Sequence, residues 1–565
     1  MKILLVGINA KYSHQNLALH YIKKYCEDFN IEILEFNINQ TIESIYREIL
    51  KKDPDVIGFS SYIWNIDFIK RLSDDLKTAN PKFKIIWGGP EVSFDTLELL
   101  TENPAVDIII RGEGEETSRE LLESLNNEDF LEKVKGISYR KEKEIFINPE
   151  RELIANLDTI KSPFENMEVE KGKLLYYEMS RGCPFKCAYC LSSTIKGVRY
   201  FSEDRIKSDL LKIMKLPVET VKLVDRTFNS NEKFSMKIME FIKENAPQGM
   251  CFHMELMAHM ISEDFLKFLK DMPKGLFQFE IGIQSINPHT LEEIYRVTDL
   301  NKLAHSVKTI RSYDNIHQHV DLIAGLPHED YESFRNSFNY AYDLGAEKLQ
   351  LGFLKLLRGS HLRINAEKLG LKYSKFPPYE IISTKHLTPM ELRKLSLLED
   401  VVEKYSNEDY FKWTLEYLTD DGDPFGFFEK FSEFWERKNY HMKSHSRESL
   451  YKIFQDFLKE RSDYEAVVEV LRLDFLLNHN SLPKKYLNPQ GIDIKMYHEI
   501  LRDEIVREKF NIDVDIPTKR LIKDFKFEGF GFGGQRAIFG FHYKKEGTIR
   551  VDITEDYERI LNGLH

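Results

Sequence analysis

The sequence predicts an α/β protein, because two runs of alternating strands and helices follow one another along the chain. Five short apolar segments alternate with amphipathic ones in residues 1–130, and six more do so in residues 173–365. Parallel strands joined by helices produce this alternation, since the helices bury both faces of each strand. Residues 131–172 are predicted to link the two, and residues 366–565 to form a mostly helical domain with a small terminal β element.

Composition and charge narrow the classes of function. The formal net charge is −12, and the chain has only five cysteines, three of them in one motif. The acidic balance speaks against a nucleic-acid-binding protein, and so few cysteines indicate a reducing compartment rather than a disulfide framework. Residues 1–7 lack the features of a signal peptide, and no apolar run approaches the ~20 residues that span a bilayer. We therefore expect a cytoplasmic protein without a membrane segment.

The first alternation predicts an open, doubly wound parallel sheet. Its apolar runs are typical of buried strands, and the stretches between them are predicted as helices. The predicted strands cover residues 2–7, 31–36, 56–60, 84–87 and 107–111. Ligands of such sheets bind beside the carboxyl ends of the strands, so the loops that follow the strands are a candidate site.

Small and flexible residues occupy those loops. Ser60 and Ser61 follow the third strand, Gly88-Gly89-Pro90 the fourth, and Gly112-Glu113-Gly114-Glu115 the fifth. Glycine lets the backbone approach a ligand closely and adopt positive φ angles. A glycine pair after one strand is more often a tight turn, but three such loops in order predict a binding edge.

Three cysteines stand together after the first apolar run of the second alternation. Cys183, Cys187 and Cys190 have the spacing CxxxCxxC. Three thiolates on one tight loop suit a [4Fe–4S] cluster with one open iron, because a structural cluster normally has four cysteines. A structural zinc site also needs four ligands, so a zinc loop completed by a distant histidine, or plain buried thiols, are the alternatives. An open iron can bind a small molecule through an amine and a carboxylate.

The segment from Ser180 to Cys190, SRGCPFKCAYC, resembles the cluster loop of radical S-adenosylmethionine (SAM) enzymes in its flanks as well as its spacing. The glycine loops upstream resemble the cobalamin (B12)-binding domain found in one large class of that family. The resemblance implies three cofactors: a [4Fe–4S] cluster on Cys183, Cys187 and Cys190, SAM, and cobalamin. The residues it implies for cobalamin are Asn9, Ser60, Ser61, Gly88, Gly89, Pro90, Gly112, Glu113, Gly114 and Glu115.

By the same resemblance, the second alternation corresponds to a partial (β/α)6 radical SAM barrel. The predicted strands cover residues 174–179, 220–224, 251–256, 277–282, 319–324 and 348–353. In barrels of parallel strands the chemistry lies at the carboxyl-end loops, and the cysteine loop directly follows the first strand. The residues that the resemblance implies for SAM are Tyr189, Asp225, Glu255, Glu280, Gln284, Ser285, Gly325 and Leu326. Taken singly, a polar residue at the end of a strand is a cap or turn residue about as often as it is a ligand-binding residue.

Two features separate this chain from other members of the family. Cobalamin domains that place a histidine on cobalt carry Asp-x-His-x-x-Gly after the first strand, whereas here that loop contains His14 without the motif. We interpret His14 as a solvated or structural residue and expect the lower face of cobalt to lack a histidine ligand. Outside the motif only Cys26 and Cys251 remain, so the chain lacks the additional cysteines of family members that hold a second cluster. We interpret Cys26 and Cys251 as small buried hydrophobic residues.

Composition shifts in the last third of the chain. Residues 387–405 and 448–458 are predicted as amphipathic helices, and residues 411–440 are crowded with aromatic side chains. Such a stripe usually forms core, and the functional alternative is a lid or a substrate pocket. A glycine–aromatic run, 529–534, precedes strand-like residues, so a hairpin or small sheet is expected to close the chain.

Together these features predict a cobalamin-dependent radical SAM enzyme that cleaves SAM reductively to a 5′-deoxyadenosyl radical and methylates an unactivated carbon of a small-molecule substrate. An external flavodoxin- or ferredoxin-type protein would supply electrons. The same cofactors could instead drive a rearrangement or cyclisation without methyl transfer. In a different class, the protein would be a non-catalytic cluster and cobalamin sensor.

Overall fold

The computed structural model of the chain describes residues 1–125, 128–532, 535–545 and 547–563. The chain divides into two compact units, the first formed by residues 1–346 with 350–392 and the second by residues 347–349 with 393–565. No helix within the described ranges is both long and apolar enough to span a membrane.

Strands and helices alternate through most of the first unit, and helices dominate the second. In chain order the strands are β1 (Ile3–Asn9), β2 (Ile31–Asn37), β3 (Val56–Ser60), β4 (Lys84–Gly88), β5 (Ile108–Ile110), β6 (Ile137–Lys141), β7 (Glu144–Ile147), β8 (Leu174–Tyr177), β9 (Ser180–Cys183), β10 (Gly197–Tyr200), β11 (Thr220–Leu223), β12 (Cys251–Leu256), β13 (Phe277–Gln284), β14 (His317–Ala324), β15 (Lys348–Phe353), β16 (Lys372–Tyr373), β17 (Ile381–Ser383), β18 (Phe525–Phe532), β19 (Gln535–Lys544) and β20 (Gly547–Asp552). The helices are α1 (Leu17–Tyr25), α2 (Ile42–Lys51), α3 (Ile66–Ala79), α4 (Thr96–Glu102), α5 (Gly114–Ser124), α6 (Glu203–Ile213), α7 (Glu232–Asn245), α8 (Glu263–Lys270), α9 (Pro288–Glu293), α10 (Leu300–Tyr313), α11 (Tyr331–Asp343), α12 (His361–Ile364), α13 (Ala366–Leu369), α14 (Pro389–Tyr405), α15 (Lys412–Thr419), α16 (Pro424–Arg437), α17 (Arg447–Leu458), α18 (Tyr464–Asn478), α19 (Ile494–Arg502), α20 (Glu504–Lys509), α21 (Thr518–Leu521) and α22 (Thr554–Gly563).

The first sheet has the strand order β2-β1-β3-β4-β5-β6-β7. Strands β1 to β5 pair in parallel, as the sequence predicts, and the β6–β7 hairpin adds two antiparallel strands at one edge. The sheet thus extends past residue 130. Alternate residues of β1 pack into two different cores, Leu4 with α2 to α4 and Leu5 with α1 and α5, so both faces are covered. The strand order reverses between β1 and β3, which makes the loops after these strands the switch point where ligands bind.

The second sheet has the order β15-β14-β13-β12-β11-β8 and contains the six strands predicted for the barrel. Neighbouring strands from β8 to β14 pair in parallel. Burial alternates along β13: Phe277 and Phe279 are fully buried, whereas Gln278, Glu280 and Gly282 are half-buried. One face of the sheet is therefore an apolar core, and the other presents polar groups.

Side-chain caps fix where the helices of the barrel begin. In each case a short polar side chain accepts a hydrogen bond from a backbone amide of the first turn, which satisfies a donor that the helix itself cannot pair. These capping residues are Ser202 for α6, Asn231 for α7, Ser262 for α8, Asp299 for α10 and Asp330 for α11.

The second unit is mostly helical and closes with the antiparallel sheet β18-β19-β20 and α22. Most of its aromatic stripe is core, as predicted: Phe428, Phe431 and Trp435 are fully buried, and Phe431 stacks on Phe454 with 5.1 Å between ring centroids. Trp413 and Tyr417, at the start of the stripe, are exposed instead. In the glycine–aromatic run, residues 533–534 lie outside the described residues.

Candidate active site

The loop bearing the three cysteines follows β9 and is held by backbone hydrogen bonds. The Cys190 amide donates to the Cys187 carbonyl at 3.0 Å. Between them, the Ala188 amide donates to the Ile294 carbonyl at 2.9 Å, and the Ala188 carbonyl accepts from the Leu362 amide at 3.0 Å. The loop is thus fixed from two sides, by the segment after α9 and by α12.

Gly182 is the tightest point of the ribbon formed by β9 and β10. Its φ is +97°, and a Cβ atom at this position would lie 2.1 Å from the carbonyl oxygen of Gly197. Both the left-handed backbone and the missing side chain are needed here, so only glycine fits. The residue that follows it is Cys183, whose position therefore depends on this contact.

The three cysteines line one cavity at the carboxyl ends of the barrel strands, with about 750 Å³ of empty space. Four residues predicted for SAM lie in its wall, namely Tyr189, Glu255, Glu280 and Gln284. The wall also contains residues without a predicted role, namely Phe185, Ser193, Arg226, Thr227, Leu256, Met257, Gly282, Arg296 and Asp321. Among the described residues, no three His, Cys, Asp or Glu side chains are arranged around a single metal ion. A [4Fe–4S] cluster does not need that convergence, since each cysteine binds a different iron atom.

Carboxylates in different protonation states stand in this wall. Glu280 lies 3.0 Å from His253 Nε2 and accepts a hydrogen bond from Lys222 Nζ at 2.8 Å, and these contacts lower the pKa of Glu280 to about 2. Burial, with Glu280 and Glu255 nearby, raises the pKa of Asp321 to about 8. The wall therefore combines an ionised carboxylate with a protonated one at neutral pH, and an added cation would favour ionisation of both.

Asp225, predicted for SAM, does not line the cavity. Its carboxylate accepts hydrogen bonds from the Met179 amide at 3.0 Å and from the Ser180 hydroxyl. Burial raises the pKa of Asp225 to about 7. The residue ties the end of β11 to the start of the cysteine loop, and its contact with SAM stays a prediction.

Ser285, Gly325 and Leu326 also make their contacts inside the protein. Ser285 is fully buried and donates to Glu329 Oε1 at 2.6 Å. Gly325 packs against Ile381, and Leu326 is fully buried. These residues shape the ends of β13 and β14, and their roles toward SAM stay predictions.

An apolar pocket with about 890 Å³ of empty space lies beside the glycine loops of the first sheet. Its walls include Leu5 of β1, Leu19 of α1 and Leu121 of α5. The residues predicted for cobalamin that line it are Ser60, Gly88, Gly89, Gly112, Gly114 and Glu115. The structure thus brings most of the predicted loops to one space.

Ser61 and Gly89 bring the loops after β3 and β4 together. The Ser61 amide donates to the Gly88 carbonyl at 2.6 Å, and a Cβ atom at Gly89, where φ is +119°, would lie 2.6 Å from the Ser61 carbonyl oxygen. Ser61 is fully buried and Pro90 is exposed. Neither lines the apolar pocket, and both stay predictions as cobalamin contacts.

A third cavity lies between the loop after β1 and the barrel, inside the first compact unit. The stacked rings of Tyr62 and Trp64, 4.4 Å apart, form part of its wall on the side of the first sheet. It shares Tyr62 and Glu115 with the apolar pocket, and it shares Arg226 and Glu255 with the cysteine cavity. The three spaces therefore meet at common side chains.

Asn9, the last residue of β1, and His14, in the loop that follows, line this third cavity. His14 Nδ1 lies 3.3 Å from the Tyr176 hydroxyl, and the two rings meet edge to face at 5.7 Å. Burial lowers the pKa of His14, so its imidazole is neutral at pH 7. The contact with a barrel residue agrees with the interpretation of His14 as structural, which stays a prediction.

Two arginines of the β9–β10 ribbon join the cysteine loop to the first sheet. Arg181 forms ion pairs with Glu115, with Glu178 at 2.7 Å and with Glu113 at 3.4 Å. Arg199 donates to Glu113 Oε1 at 2.7 Å. These side chains are at most 16% exposed. Glu113 and Glu115, predicted for cobalamin, thus also anchor the cysteine loop.

Sequence reasoning assigned no role to Arg181, Arg296 or Asp321. Asp321 could have been found from the strand alternation, since it stands in register with Gly282 of β13 and on the same face as Glu280. The two arginines carry no comparable signal, because most of their partners are distant in sequence: Glu115, for example, is 66 residues from Arg181.

The family comparisons agree with this architecture. Residues 3–122 match the family described as B12 binding domain, and residues 177–341 match the Radical SAM superfamily. Residues 367–544 match a family described as a protein of unknown function, DUF4080. The chain therefore joins a B12-binding domain to a radical SAM domain, as the resemblance implied.

Two relatives and one solved structure are similar to this chain. An uncharacterized methyltransferase of Pyrococcus horikoshii is 26% identical over 67% of this chain and 85% of its own length. The cobalamin-dependent radical SAM methyltransferase TokK of Streptomyces tokunonensis is 26% identical over 66% of this chain, which spans 58% of TokK. The solved structure of the radical SAM methyltransferase TsrM from Kitasatospora setae, with a tryptophan substrate and a SAM analogue bound, aligns with a TM-score of 0.57 and 14% identity, over 69% of this chain and 80% of that one. This last likeness shows a shared fold.

We expect Gly182→Ala to lower the iron content of the anaerobically reconstituted protein. The left-handed backbone alone costs a non-glycine residue about 1–3 kcal/mol, and the clash with Gly197 adds to it. Iron and sulfide analysis with urea unfolding measures both effects. Gly172→Ala is the matched control, because Gly172 has a φ of +84° but open space around its Cβ position. Full iron content in Gly182→Ala would contradict the role given to this ribbon.

Proposed function

We propose that this protein is a cobalamin-dependent radical SAM methyltransferase that methylates an unactivated carbon of a small molecule. The observation that carries the proposal is the adjacency of the three cavities, which share Tyr62, Glu115, Arg226 and Glu255 as lining residues. A radical source, a methyl carrier and a methyl acceptor must be adjacent for methyl transfer to carbon. Touching cavities in one compact unit supply that adjacency before any ligand arrives.

The donor set fits a [4Fe–4S] cluster with one open iron. Cys183, Cys187 and Cys190 line the same cavity. The other two cysteines stand elsewhere, Cys26 in the core of the first sheet and Cys251 at the start of β12. With SAM bound, the cluster supplies a radical able to abstract hydrogen from an unactivated carbon.

The wall of the cysteine cavity fits SAM. Glu255, Glu280 and Asp321 would surround its positive charge, because a cation offsets the repulsion among three neighbouring carboxyl groups. Tyr189 stands between the last two cysteines, and its hydroxyl accepts from Arg296 Nη1 at 3.1 Å. These residues would orient SAM against the open iron.

The two N-terminal cavities fit cobalamin, which would carry the methyl group. The apolar pocket beside Gly88 and Gly112 would take the nucleotide tail, since no heavy atom stands within 4 Å of the Cβ position at Gly112. The third cavity, with Tyr62 and Trp64 stacked at its side, would hold the corrin ring. The methyl acceptor would then lie near Arg226, where the third cavity meets the cysteine cavity.

We place the protein in the cytoplasm and expect a flavodoxin- or ferredoxin-type electron donor. All five cysteines are free thiols, which suits a reducing compartment. Reductive cleavage of SAM needs electrons that the chain's own side chains do not supply, so a separate redox protein has to deliver them.

Replacing Cys183, Cys187 or Cys190 with alanine should abolish the visible absorbance and EPR signal of the reconstituted cluster. Each thiolate binds one iron, so two remaining ligands leave the cluster exposed and labile. Cys251→Ala is the control and should keep both signals. Retention of the signals in all three variants would exclude the cluster assignment.

His14→Ala should bind cobalamin with an unchanged visible spectrum. No cobalt-ligating histidine motif accompanies His14, and its ring packs edge to face against Tyr176. Titration with cobalamin, followed by EPR of the reduced cobalt(II) form, measures affinity and ligation. Nitrogen splitting in the wild-type signal that disappears in His14→Ala would identify a histidine ligand and contradict this expectation.

Incubation with methyl-labelled SAM should place the label in a product and release 5′-deoxyadenosine. Metabolite extracts of anaerobic cells that lack the protein supply candidate substrates for this assay. Their metabolites are compared with those in extracts of cells that contain the protein. Release of 5′-deoxyadenosine with an unlabelled product would favour a rearrangement or cyclisation. Absence of 5′-deoxyadenosine with every extract would favour a cluster and cobalamin sensor.

A further inference from the structure

Arg296 is a buried arginine in the wall of the cysteine cavity, with an exposed fraction of 8%. Its Nη1 donates to Cys187 Sγ at 3.6 Å and to the Tyr189 hydroxyl at 3.1 Å. Its Nη2 donates to the Gly282 carbonyl and to Met257 Sδ, the latter at 3.4 Å. Three separate segments thus hold the planar guanidinium in one orientation against a cysteine sulfur.

None of these acceptors is a carboxylate. The acidic groups near Arg296 are Tyr189 and Cys187, which it contacts directly, and the carboxyl group of Asp321 in the same cavity wall. A guanidinium keeps its positive charge in a protein, and a buried charge without a partner is strongly unfavourable. With a cluster bound, the negative group that Arg296 contacts directly would be the thiolate of Cys187, whose sulfur lies 3.6 Å from Nη1.

We propose that Arg296 raises the reduction potential of the cluster through its contact with Cys187. The inference rests on the proposed function, since it requires the cluster. An external donor adds one electron to the cluster, which becomes more negative by one charge. A fixed positive charge and a hydrogen bond to a ligating sulfur stabilise that reduced state more than the oxidised one, and both are factors that set cluster potentials.

Arg226 provides a matched comparison in the same cavity. Its side chain is 53% exposed, and its Nη1 lies 3.9 Å from Glu255. Solvent and this carboxylate screen its charge, and its ion-pair partner is a carboxylate rather than a cysteine sulfur. Loss of the Arg226 charge should therefore affect the cluster much less than loss of the Arg296 charge.

The test is the midpoint potential of the cluster in the reconstituted full-length protein, followed by EPR during titration with dithionite and without SAM. Arg296→Gln should shift the potential to a lower value, and Arg296→Lys, which keeps the charge but loses the planar fork, should shift it less. Arg226→Gln should stay close to wild type. Omitting SAM matters, because an arginine that served only the carboxylate of SAM would leave this potential unchanged.

An unchanged or higher potential in iron-loaded Arg296→Gln overturns the inference, also when the affinity for SAM falls. If Arg296→Gln assembles no cluster, the Arg296→Lys variant provides the test. A midpoint potential below that of the wild type supports the inference, and a potential equal to or above that of the wild type overturns the inference. Iron analysis of the wild-type sample distinguishes a failure of the proposed function from a failure of this inference. A wild-type protein without iron removes the proposed function, whereas an unchanged potential removes only the role of Arg296.

Discussion

Arg181 and Arg199 lie side by side on the β9–β10 ribbon and reach carboxylates of the first sheet. Breaking a buried ion pair by removing one partner costs about 3–5 kcal/mol, a large part of the about 5–15 kcal/mol by which a domain is stable. Arg181 stands two residues before Cys183, so the interaction that joins the sheet to the barrel also positions the first thiol. The adjacency of the three cavities depends on this cluster of charges.

Much of the fold could be predicted because burial imposes clear patterns on the sequence. The strands of both sheets are short apolar runs, and most of their bounds lie within two residues of the predicted ones, as in β12 and β15. The β6–β7 hairpin lies in the segment predicted as a linker, and its pairing with β5 was not predicted. Pairing between distant edges is decided by tertiary contacts, which leave no periodic signal in a single sequence.

The candidate site was predicted in part, for a physical reason. The cysteines, Glu255 and Glu280 come together because a motif or a strand register fixes their direction. Asp225 was predicted to contact SAM, and in the structure its oxygens accept hydrogen bonds from the Met179 amide and the Ser180 hydroxyl, next to the cysteine loop. A buried polar group at a strand end must be satisfied somewhere, and the sequence does not distinguish a ligand from an internal donor. Arg296 is the opposite case: it lines the cysteine cavity but was not predicted for the site, because its partners come from three distant segments.

Arg226 and Glu255 stand in the wall between the third cavity and the cysteine cavity. Ligands in the two cavities would contact the same two side chains, so a change that one ligand makes in their conformations would alter the affinity for the other. Such coupling is reciprocal: if one ligand alters the affinity for the second by some factor, the second alters the affinity for the first by the same factor. The affinities of the two cavities for their ligands would thereby be tied to the conformations of two side chains.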